Sequence, residues 1–510
     1  MKTILFQPYQ QLQAWIDKTA MYRLVLYMLG TLAVCSLLLG MFGLVAQSFL
    51  QQALALIVVI CAAYGMSVVC ARSTGVAANH HSSIITGLII FFLVMPGTTV
   101  LEYVVLAATV VIAIASKYVL VYRKQHIVNP ASFAVVILAL SGYGVATWWV
   151  ATPWLFVPLL ITGAIVVMKI RRWELVLSFI IAGFAVFLLE GLYYGDALSS
   201  TWSVFFLSYP ALFLGFFMLT EPFSMPPTKK TQMMYGALVG ILSNTSILKP
   251  VIVMTPELAL VIGNLVMYPA TLRRKLLLKV IRVNTIAHST LEVVFEKPLG
   301  FHYIAGQYLE WMLPHSKADA RGIRRYFTIA SAPTEDVLRV ALKIPEKAST
   351  YKQYVSNLKA GAVVIASQLA GDFVLPKDVH KKLAMVAGGI GVTPFRSHLQ
   401  YLVDTNDARD VVLFYGSNTT PEVAYGEVFA RAGQKIKLRT IYILAKEPAS
   451  IEYESGYFST DIVKRQAPDY LERYWYVSGP PVMVDVAVKT LRGLGVSRRQ
   501  IKKDFFPGLA

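Results

Sequence analysis

Long apolar runs dominate the first 272 residues of the chain. A helix needs roughly 20 such residues to cross a bilayer. Ten runs approach that length, at 22–42, 52–71, 83–97, 99–120, 130–150, 153–170, 175–195, 202–220, 232–248 and 255–271. The runs at 83–97 and 232–248 are short, so broken or tilted helices are expected there. Residues 1–272 are therefore predicted to form a polytopic α-helical membrane bundle of about ten helices.

The pattern changes after residue 282. Short alternating segments, such as Leu291–Phe295 and Leu338–Leu342, are separated by turn residues, and a period of two is typical of antiparallel strands. Apolar Leu383–Val386 then leads into a glycine-rich turn and a helix, and Val411–Tyr415 follows as a further strand. That order is typical of a doubly wound α/β domain. The predicted domains are the membrane bundle at 1–272, a basic linker at 273–282, an antiparallel β-barrel at 283–379 and an α/β nucleotide-binding domain at 380–510.

Charge separates the same two regions. Residues 1–272 contain 13 of the 47 lysines and arginines and 7 of the 29 acidic residues. The basic residues near the predicted helix ends fall in alternate loops, and under the positive-inside rule this places both termini in the cytoplasm. The expected location is a bacterial-type inner membrane, with the C-terminal domains on the cytoplasmic side. Because anionic lipid headgroups account for much of the basic excess, the net charge of +18 does not indicate nucleic-acid binding.

Two motifs in the predicted barrel contain the residue types that a flavin requires. Gln307 and Tyr308 end the segment Ala305–Tyr308, and Arg325–Thr328 places a guanidinium, an aromatic ring and a hydroxyl on one strand. A guanidinium pairs with a pyrophosphate, an aromatic face stacks on a flavin ring, and a hydroxyl hydrogen-bonds to a ring nitrogen. These residue types are compatible with a bound flavin nucleotide.

Two further motifs lie in the predicted nucleotide-binding domain. The turn Gly388–Pro394 follows an apolar strand, and glycines at such a turn let backbone amides approach phosphates. The segment Ser478–Met483 follows a later predicted strand. Together they predict a nucleotide-binding site.

In this order the four motifs resemble the ferredoxin–NADP reductase superfamily, and the resemblance covers residues 283–510. It implies that Arg325 holds the FAD pyrophosphate, Phe327 stacks on the flavin and Thr328 hydrogen-bonds near its N5 atom. The other cofactor-binding residues that it implies are Gln307, Tyr308, Tyr326, Ser349, Thr350, Gly388, Gly389, Gly391, Thr393, Pro394, Gly479, Pro480 and Met483. The residues that it implies beside the reacting rings are Thr328, Ser478, Asp504 and Phe506. Ser478 stands where the family usually has a cysteine.

The nucleotide donor stays open between NADH and NADPH. No arginine follows Tyr415-Gly416, where the family often has a clamp for a 2′-phosphate, and this favours NADH slightly.

Metal cofactors are not expected. A plant-type 2Fe–2S cluster needs four thiolates, whereas the three cysteines, Cys35, Cys61 and Cys70, all lie in predicted helices. A transmembrane heme is not expected either, because the histidines of this region lie at loop ends rather than in pairs within helices. Those histidines are His80, His81 and His126.

The membrane region resembles the RnfD/NqrB family, the flavin-carrying membrane subunits of Rnf complexes and of the sodium-translocating NADH:quinone reductase. The motifs that carry this resemblance over residues 20–272 are Ile84–Leu88, Met95–Pro96, His126–Ala131, Phe216–Pro222, Pro227–Lys230 and Gly236–Leu238. Two of them contain Asn129-Pro130 and Glu221-Pro222, pairs that also fit plain helix stops. The family esterifies FMN to a threonine just before the Phe-Phe-Met run, but here Ala211 occupies that position and has no hydroxyl. Covalent FMN at Ala211 is therefore excluded, whereas noncovalent FMN or riboflavin in the bundle stays open.

These features predict a membrane-bound flavoprotein oxidoreductase that takes hydride from NAD(P)H to FAD and passes electrons to an acceptor in or across the membrane. Quinone, a membrane flavin and a partner redox protein all stay open as the acceptor. Two alternatives also stay open: a redox-driven ion-translocating subunit of a larger complex, and a flavin transporter or passive anchor that carries a reductase. Glu102 and Glu190, near helix ends, fit either an ion path or side chains that reach water.

Overall fold

The computed structural model describes residues 12, 15–16, 19–74, 79–122, 125–222, 224–226, 228–245, 253–271, 275–315, 323–448 and 453–505. The chain forms two compact units that divide after residue 272. The N-terminal unit is mainly helical, and the C-terminal unit contains two six-stranded sheets and the helices that accompany them.

The N-terminal unit is built from consecutive helices. Those described are α1 (Met21–Met41), α2 (Phe49–Thr74), α3 (His80–Leu93), α4 (Val100–Val119), α5 (Pro130–Leu140), α6 (Pro153–Ile170), α7 (Trp173–Tyr194), α8 (Leu198–Ser203), α9 (Ala211–Phe213), α10 (Lys229–Asn244) and α11 (Pro256–Thr271). Between α4 and α5, the short strands β1 (Val121–Tyr122) and β2 (Gln125–His126) pair antiparallel. Each of the ten apolar runs overlaps at least one of these helices.

The count of about ten spans is nevertheless not confirmed. Within the described residues, five helices are long and apolar enough to cross a membrane, namely α1, α2, α4, α6 and α7, and one bent pair of helices makes a sixth if it is a single span. Helices α3, α5, α10 and α11 have only 11 to 16 residues. At about 1.5 Å of rise per residue they fall short of the roughly 30 Å of a hydrocarbon core. The apolar runs were longer than the helices that form within them.

The bent pair lies where the run at 202–220 was predicted. Helix α8 continues as a π-helical turn to Ser208, α9 continues as another to Met218, and the two halves meet at an angle of 51°. Pro210 lies at the break, and proline has no N–H to continue a helical ladder. Ala211, the first residue after the break, is fully buried.

Glycines let α7 and α10 approach closely. A Cβ at Gly236 would lie 2.4 Å from the carbonyl oxygen of Leu175, and a Cβ at Gly240 would lie 2.4 Å from that of Phe179. Small residues allow such backbone approach between membrane helices. Gly236, one of the residues that carry the membrane-family resemblance, therefore serves helix packing.

The first sheet of the C-terminal unit is antiparallel. Its strands are β3 (Leu276–Ala287), β4 (Thr290–Glu296), β5 (Tyr308–Met312), β6 (Arg324–Thr328), β7 (Val337–Lys343) and β8 (Val363–Ala370), in the order β6-β5-β8-β3-β4-β7. The N–H of Ala330, just after β6, donates to the carbonyl oxygen of Arg339 in β7 at 2.8 Å. This bond joins the two edge strands, as the curvature of a barrel requires.

The predicted linker at 273–282 is wrong from Leu276 onward. Residues 276–279 pair with β8, and residues 280–287 of the same strand pair with β4. Leu276, Leu278 and Val280 are buried, while the residues between them are exposed. This alternation is that of a strand with one buried face, and the basic residues in the segment lie among the outward-facing positions.

The second sheet is parallel, as expected for a doubly wound domain. Its strands are β9 (Leu383–Gly388), β10 (Val411–Ser417), β11 (Leu438–Leu444), β12 (Tyr453–Ser455), β13 (Tyr474–Gly479) and β14 (Ile501–Phe505), in the order β12-β11-β10-β9-β13-β14. The helices of this unit are α12 (Thr350–Ser356), α13 (Thr393–Asp404), α14 (Gly426–Lys435), α15 (Thr460–Gln466) and α16 (Pro481–Gly493). The central strand β9 is buried along its whole length.

Candidate cofactor-binding site

The glycine turn lies at the point where the strand order of the parallel sheet reverses. Strand β9 pairs with β10 on one side and with β13 on the other, and the chain leaves β9 first toward β10 and returns later to β13. Open α/β sheets bind ligands outside the carboxyl ends of the strands at such a reversal. Gly388 ends β9 and Gly479 ends β13, so two of the predicted motifs meet there.

The turn requires glycine at one position and favours it at another. A Cβ at Gly391 would lie 2.5 Å from Gly479 Cα and 2.6 Å from the carbonyl oxygen of Ser478, both backbone atoms. Gly389 has φ +51°, a left-handed conformation that glycine adopts without strain, and a Cβ built there would meet no atom within 4 Å. The turn therefore holds β9 and β13 close together and exposes backbone at Gly389 to an approaching ligand.

Two helices begin directly after these motifs. Pro394 occupies the first turn of α13, and the Thr393 hydroxyl donates to the carbonyl oxygen of Ile390 at 3.3 Å. Pro480 precedes α16 as its N-cap residue, and a Cβ at Gly388 would lie 3.0 Å from the Met483 side chain. Helix N-termini carry unpaired amides that attract phosphates. Thr393 itself stabilises the turn through a local hydrogen bond.

Two of the four residues predicted beside the reacting rings, Ser478 and Asp504, are neighbours at this edge. Strands β13 and β14 pair in a register that sets Ser478 opposite Asp504. Ser478 is fully buried, and its hydroxyl has no hydrogen-bond partner among the described residues. Phe506 lies outside the residues that the structure describes.

Strand β6 brings the predicted flavin residues to the first turn of α12. The Phe327 ring centroid lies 6.0 Å from that of Tyr351, and the guanidinium carbon of Arg325 lies 5.0 Å from the Tyr351 ring. Ser349 caps α12 by accepting a hydrogen bond from the N–H of Lys352 at 3.3 Å. Four predicted residues, with Thr350 at the start of α12, are thus grouped around Tyr351, which the motifs did not single out.

Other predicted residues of the barrel hold its framework. The Tyr326 hydroxyl donates to Glu310 at 3.2 Å and to Gln368 at 3.1 Å, and its ring lies edge-on to Tyr308 at 5.7 Å. The side-chain oxygen of Gln307 accepts from the N–H of Ile304 at 2.8 Å. These contacts shape the loop and strand next to Thr328.

Thr328 resembles Ser478 in lacking a partner. It is 2% exposed, and its hydroxyl has no hydrogen-bond partner in the described part of the chain. Buried polar atoms are rarely left unpaired in folded proteins. An FAD that supplied polar ring atoms here would satisfy the hydroxyl, so Arg325, Phe327 and Thr328 fit that cofactor.

Helix α13 connects this strand to the glycine turn, a link that sequence reasoning missed. The side chains of three consecutive residues, Arg396, Ser397 and His398, reach carbonyl oxygens in the loop after β6 and in the loop before β5. Those oxygens belong to Ala330 at 3.1 Å, Ser331 at 2.6 Å and Ala305 at 3.2 Å, respectively. All three side chains are buried in a helix that is otherwise amphipathic. The sequence shows three polar residues in succession after the turn, but only the structure shows that they are buried.

Carboxylates surround the end of β10. Glu422 accepts from the Asn418 side chain at 3.2 Å, and Glu447 accepts from the N–H and hydroxyl of Thr420 at 2.6 and 2.7 Å. The hydrogen bonds from Thr420 lower the pKa of Glu447. Both acids lie near the segment after Tyr415-Gly416 that was considered for nucleotide selectivity.

A largely buried polar cluster lies in the N-terminal unit. Glu221 accepts from the Asn129 side chain at 2.9 Å and from the Ser224 hydroxyl at 3.2 Å, and the N–H of Asn129 donates to Asn264 at 2.9 Å. Lys117 donates to the carbonyl oxygen and hydroxyl of Ser82 at 2.8 and 3.0 Å. A small cavity of about 60 Å³ is lined by Ser82, Asn129 and Glu221 among others. Asn129 and Glu221 are therefore more than helix stops, because they join two of the membrane motifs.

Comparison with known proteins agrees with both parts of the chain. Residues 385–489 match the family model of the oxidoreductase NAD-binding domain, and residues 150–267 match that of the NQR2, RnfD, RnfE family. The F subunit of the Na⁺-translocating NADH-quinone reductase from Neisseria meningitidis serogroup B is 27% identical over 246 residues, which are 45% of this chain and 60% of that protein. The reductase component of an aromatic O-demethylase from Amycolatopsis sp. is 29% identical over 241 residues, 46% of this chain and 70% of that protein.

Among solved structures, an Amycolatopsis cytochrome P450 reductase shares 27% sequence identity and a TM-score of 0.43, over 47% of this chain and 71% of that chain. The chain spans 60% of the length of the Neisseria meningitidis relatives that it matches. Both family matches fall within the ranges that the motifs indicated. Residues 150–267 are thus similar to the NQR2, RnfD, RnfE family and residues 385–489 to the oxidoreductase NAD-binding domain, which confirms the two resemblances.

Proposed function

We propose that the protein is a membrane-bound flavoprotein oxidoreductase that takes hydride from NAD(P)H to FAD and passes electrons to an acceptor in or across the membrane. The single observation that carries the proposal is the link made by α13. This helix begins at the glycine turn, and Arg396 in its first turn contacts Ala330, two residues after Thr328. A nucleotide at the turn and a flavin at β6 would thereby be held by one rigid element.

The chain's own residues would divide the work. Arg325 would pair with the FAD pyrophosphate near the start of α12, Phe327 would stack on the ring system, and Thr328 would donate a hydrogen bond to it. Ser478 would face the nicotinamide, and the resemblance implies that Asp504 and Phe506 lie beside the flavin. When bound, FAD takes up two electrons as a hydride and releases them one at a time.

NADH is the donor that we favour. A 2′-phosphate at the end of β10 would approach the carboxylate of Glu447, and like charges at short range repel. The 2′-hydroxyl of NADH carries no such charge. The region after Gly416 thus supports selection against NADPH.

We propose a quinone as the acceptor, since the Neisseria meningitidis relatives are parts of NADH-quinone reductases by name. A noncovalent FMN or riboflavin in the bundle would provide a relay, because the covalent route is closed at Ala211. The alternate distribution of basic loop residues supports a cytoplasmic place for the C-terminal unit in an inner membrane. Division of that unit near residue 380 into a flavin part and a nucleotide part belongs to the same proposal.

Arg325→Ala tests the assignment. Loss of the guanidinium should lower FAD occupancy several-fold and NADH-dependent dye reduction in proportion, because the pyrophosphate loses its charged partner. Arg324→Ala is the matched control: the adjacent residue contacts Glu310 at 3.5 Å on the other face of β6, so FAD content should stay near that of wild type. Normal flavin content in Arg325→Ala would exclude the proposed FAD site.

Redox-driven ion movement is a second candidate, favoured by Glu221. An acidic side chain inside a membrane domain costs free energy, and such residues mark ion or proton paths. Glu221 is held in a polar cluster with Asn129 and Ser224. Glu221→Gln should abolish NADH-driven ion uptake by sealed vesicles but preserve NADH-dependent dye reduction. Equal uptake by mutant and wild type would remove this candidate.

A further inference from the structure

Arg396 places a buried cation between the two sheets of the C-terminal unit. It lies two residues after Pro394, and only 5% of its surface is exposed. Its Nη1 donates to the carbonyl oxygen of Ala330 at 3.1 Å, and its Nη2 donates to Oε1 of Glu335 at 3.0 Å, while a second contact joins Nη1 to Glu335 Oε2. Arg396 therefore contacts the backbone just after β6 and an acid in the loop between β6 and β7.

A closed ring of five side chains balances this charge. Arg339 Nε donates to Glu335 Oε1 at 3.1 Å, and Arg339 Nη1 donates to Glu292 Oε2 at 2.8 Å. The Tyr425 hydroxyl donates to Glu292 Oε1 at 2.9 Å, and the Tyr425 ring lies 5.8 Å from Arg396 Cζ. Two arginines face two glutamates, so the ring is neutral and spans both sheets.

Glu335 is held in its ionised form in spite of its burial. Burial raises the pKa of Glu335, but the hydrogen bonds and charge of Arg396, the N–H of Ala332 and the charge of Arg339 outweigh it, so the pKa is lowered. Well-packed apolar residues often stabilise a protein as much as a buried ion pair does. Stabilisation alone therefore does not explain why charged residues occupy these positions. What a guanidinium adds is direction, because its planar fork fixes donor angles.

That direction is applied to the backbone of one residue, Ala330. The N–H of Ala330 donates to the carbonyl oxygen of Arg339 at 2.8 Å, and its carbonyl oxygen accepts from Arg396. The two peptide groups that flank the Cα of Ala330 are therefore both held, two residues beyond Thr328. Arg396 in turn follows the glycine turn by only five residues, counted from Gly391.

We propose that Arg396 is a positioning residue that sets the distance between Thr328 and the glycine turn. The inference rests on the proposed function, because this distance matters only if hydride passes between groups held at the two places. A misplacement of about 1 Å in such a geometry costs about 100-fold in rate. Arg396 acts through Ala330 and not on the reacting atoms.

Arg396→Met in the full-length protein tests the proposal by rapid mixing with NADH under anaerobic conditions. The rate constant of flavin reduction should fall about 10- to 100-fold, while FAD content and the Kd for NADH stay within about twofold of wild type. The isotope effect with NADH deuterated at C4 should rise, because hydride transfer becomes rate-limiting. Arg396→Lys keeps the positive charge but loses the planar donor group of the guanidinium. Its rate constant of flavin reduction should lie between those of wild type and Arg396→Met.

Lys343→Met is the matched control. Lys343 contacts Glu422 at 2.6 Å across the same two sheets but is no member of the ring, so this variant should reduce its flavin at the wild-type rate. A wild-type rate in Arg396→Met with FAD retained would overturn the proposal. If Arg396→Met loses FAD, the rate constant of flavin reduction in Arg396→Lys decides the question. Loss of FAD from both variants would show that Arg396 has only a structural role, and this result would also overturn the proposal. A wild-type protein that NADH does not reduce would instead contradict the proposed function.

Discussion

Gly391 packs against the end of β13 more tightly than any side chain allows. An added methyl group would meet Gly479 Cα at 2.5 Å, and backbone atoms on both sides would have to move. Gly391→Ala should therefore raise the KM for NADH at least about tenfold, because the nucleotide turn is displaced from the sheet edge. Flavin content should be unchanged, since the flavin residues lie on the other sheet.

Gly493→Ala provides the comparison for this substitution. Gly493 lies in the last turn of α16, and a Cβ there meets nothing within 4 Å. Steady-state kinetics of this variant should equal those of wild type. An unchanged KM in Gly391→Ala would show that the nucleotide binds elsewhere.

His398 makes the C-terminal unit sensitive to acid. Burial, helped by the charges of Lys502 and Arg409, lowers the pKa of His398 from 6.5 to about 4, and its Nε2 carries the proton that contacts the Ala305 carbonyl oxygen. A histidine with a depressed pKa in the folded state stabilises the fold fully above pH 6.5 and loses that contribution as pH falls toward 4. The loss between pH 7 and pH 5 is about 2 kcal/mol.

His398→Gln should remove this part of the pH dependence, because glutamine keeps a donor but does not titrate. The measurement is the apparent unfolding temperature from pH 7.5 to 4.5, followed by the rise in flavin fluorescence on release. His302 is exposed, so the same substitution at this position is a control outside the core. His302→Gln should retain the wild-type dependence of the unfolding temperature on pH. An unchanged slope in His398→Gln would contradict the assigned cause.

The local motifs predicted the residue types at the candidate site better than they predicted which residues contact one another. Arg325 and Phe327 are grouped as expected, and Ser478 lies opposite Asp504. The bridging role of Arg396 was missed because it depends on Ala330, 66 residues earlier in the chain. Such long-range contacts leave no spacing pattern in a single sequence.

At the scale of single elements, helix α4 gives Glu102 a structural role at its N-terminus. This role explains the acid without an ion path. Glu102 accepts from the N–H groups of Thr98 and Thr99 at 2.6 and 3.0 Å, and its own N–H donates to the Thr99 hydroxyl at 3.4 Å. Glu102→Ala and Thr99→Ala should each lower the apparent Tm by about 2 °C, because each removes half of the capping box. NADH-driven reactions should be unaffected in both. Loss of ion uptake in Glu102→Ala alone would restore the interpretation as an ion path.

Strand β3 shows why the linker prediction failed. Its first five residues alternate between Leu276, Leu278 and Val280 on the buried face and apolar or basic residues on the other. A short basic segment next to a membrane helix also looks amphipathic, and only pairing with β8 decides between the two interpretations. The parallel strands were easier to predict, because β9 is apolar throughout and ends at the glycines.

At the scale of the whole molecule, the sequence predicted two classes of structure, and the predicted number of spans is not confirmed within the described residues. Apolar composition marks membrane residues, but it does not show where a helix stops. Helix α5 ends at Leu140 although the apolar run continues to residue 150, and Gly142, two residues later, has φ +76°. Breaks of this kind depend on local backbone geometry within an apolar run.

The most direct test of the account is the response of the purified full-length protein to NADH without oxygen. Its flavin content is first measured in a sample precipitated with acid, and an intact sample is then titrated with NADH while the flavin absorbance is followed. The account predicts about one FAD per chain, all flavin released by acid because Ala211 offers no attachment, and bleaching of the FAD by one equivalent of NADH. Protein that contains no FAD, or FAD that NADH does not bleach, would contradict it.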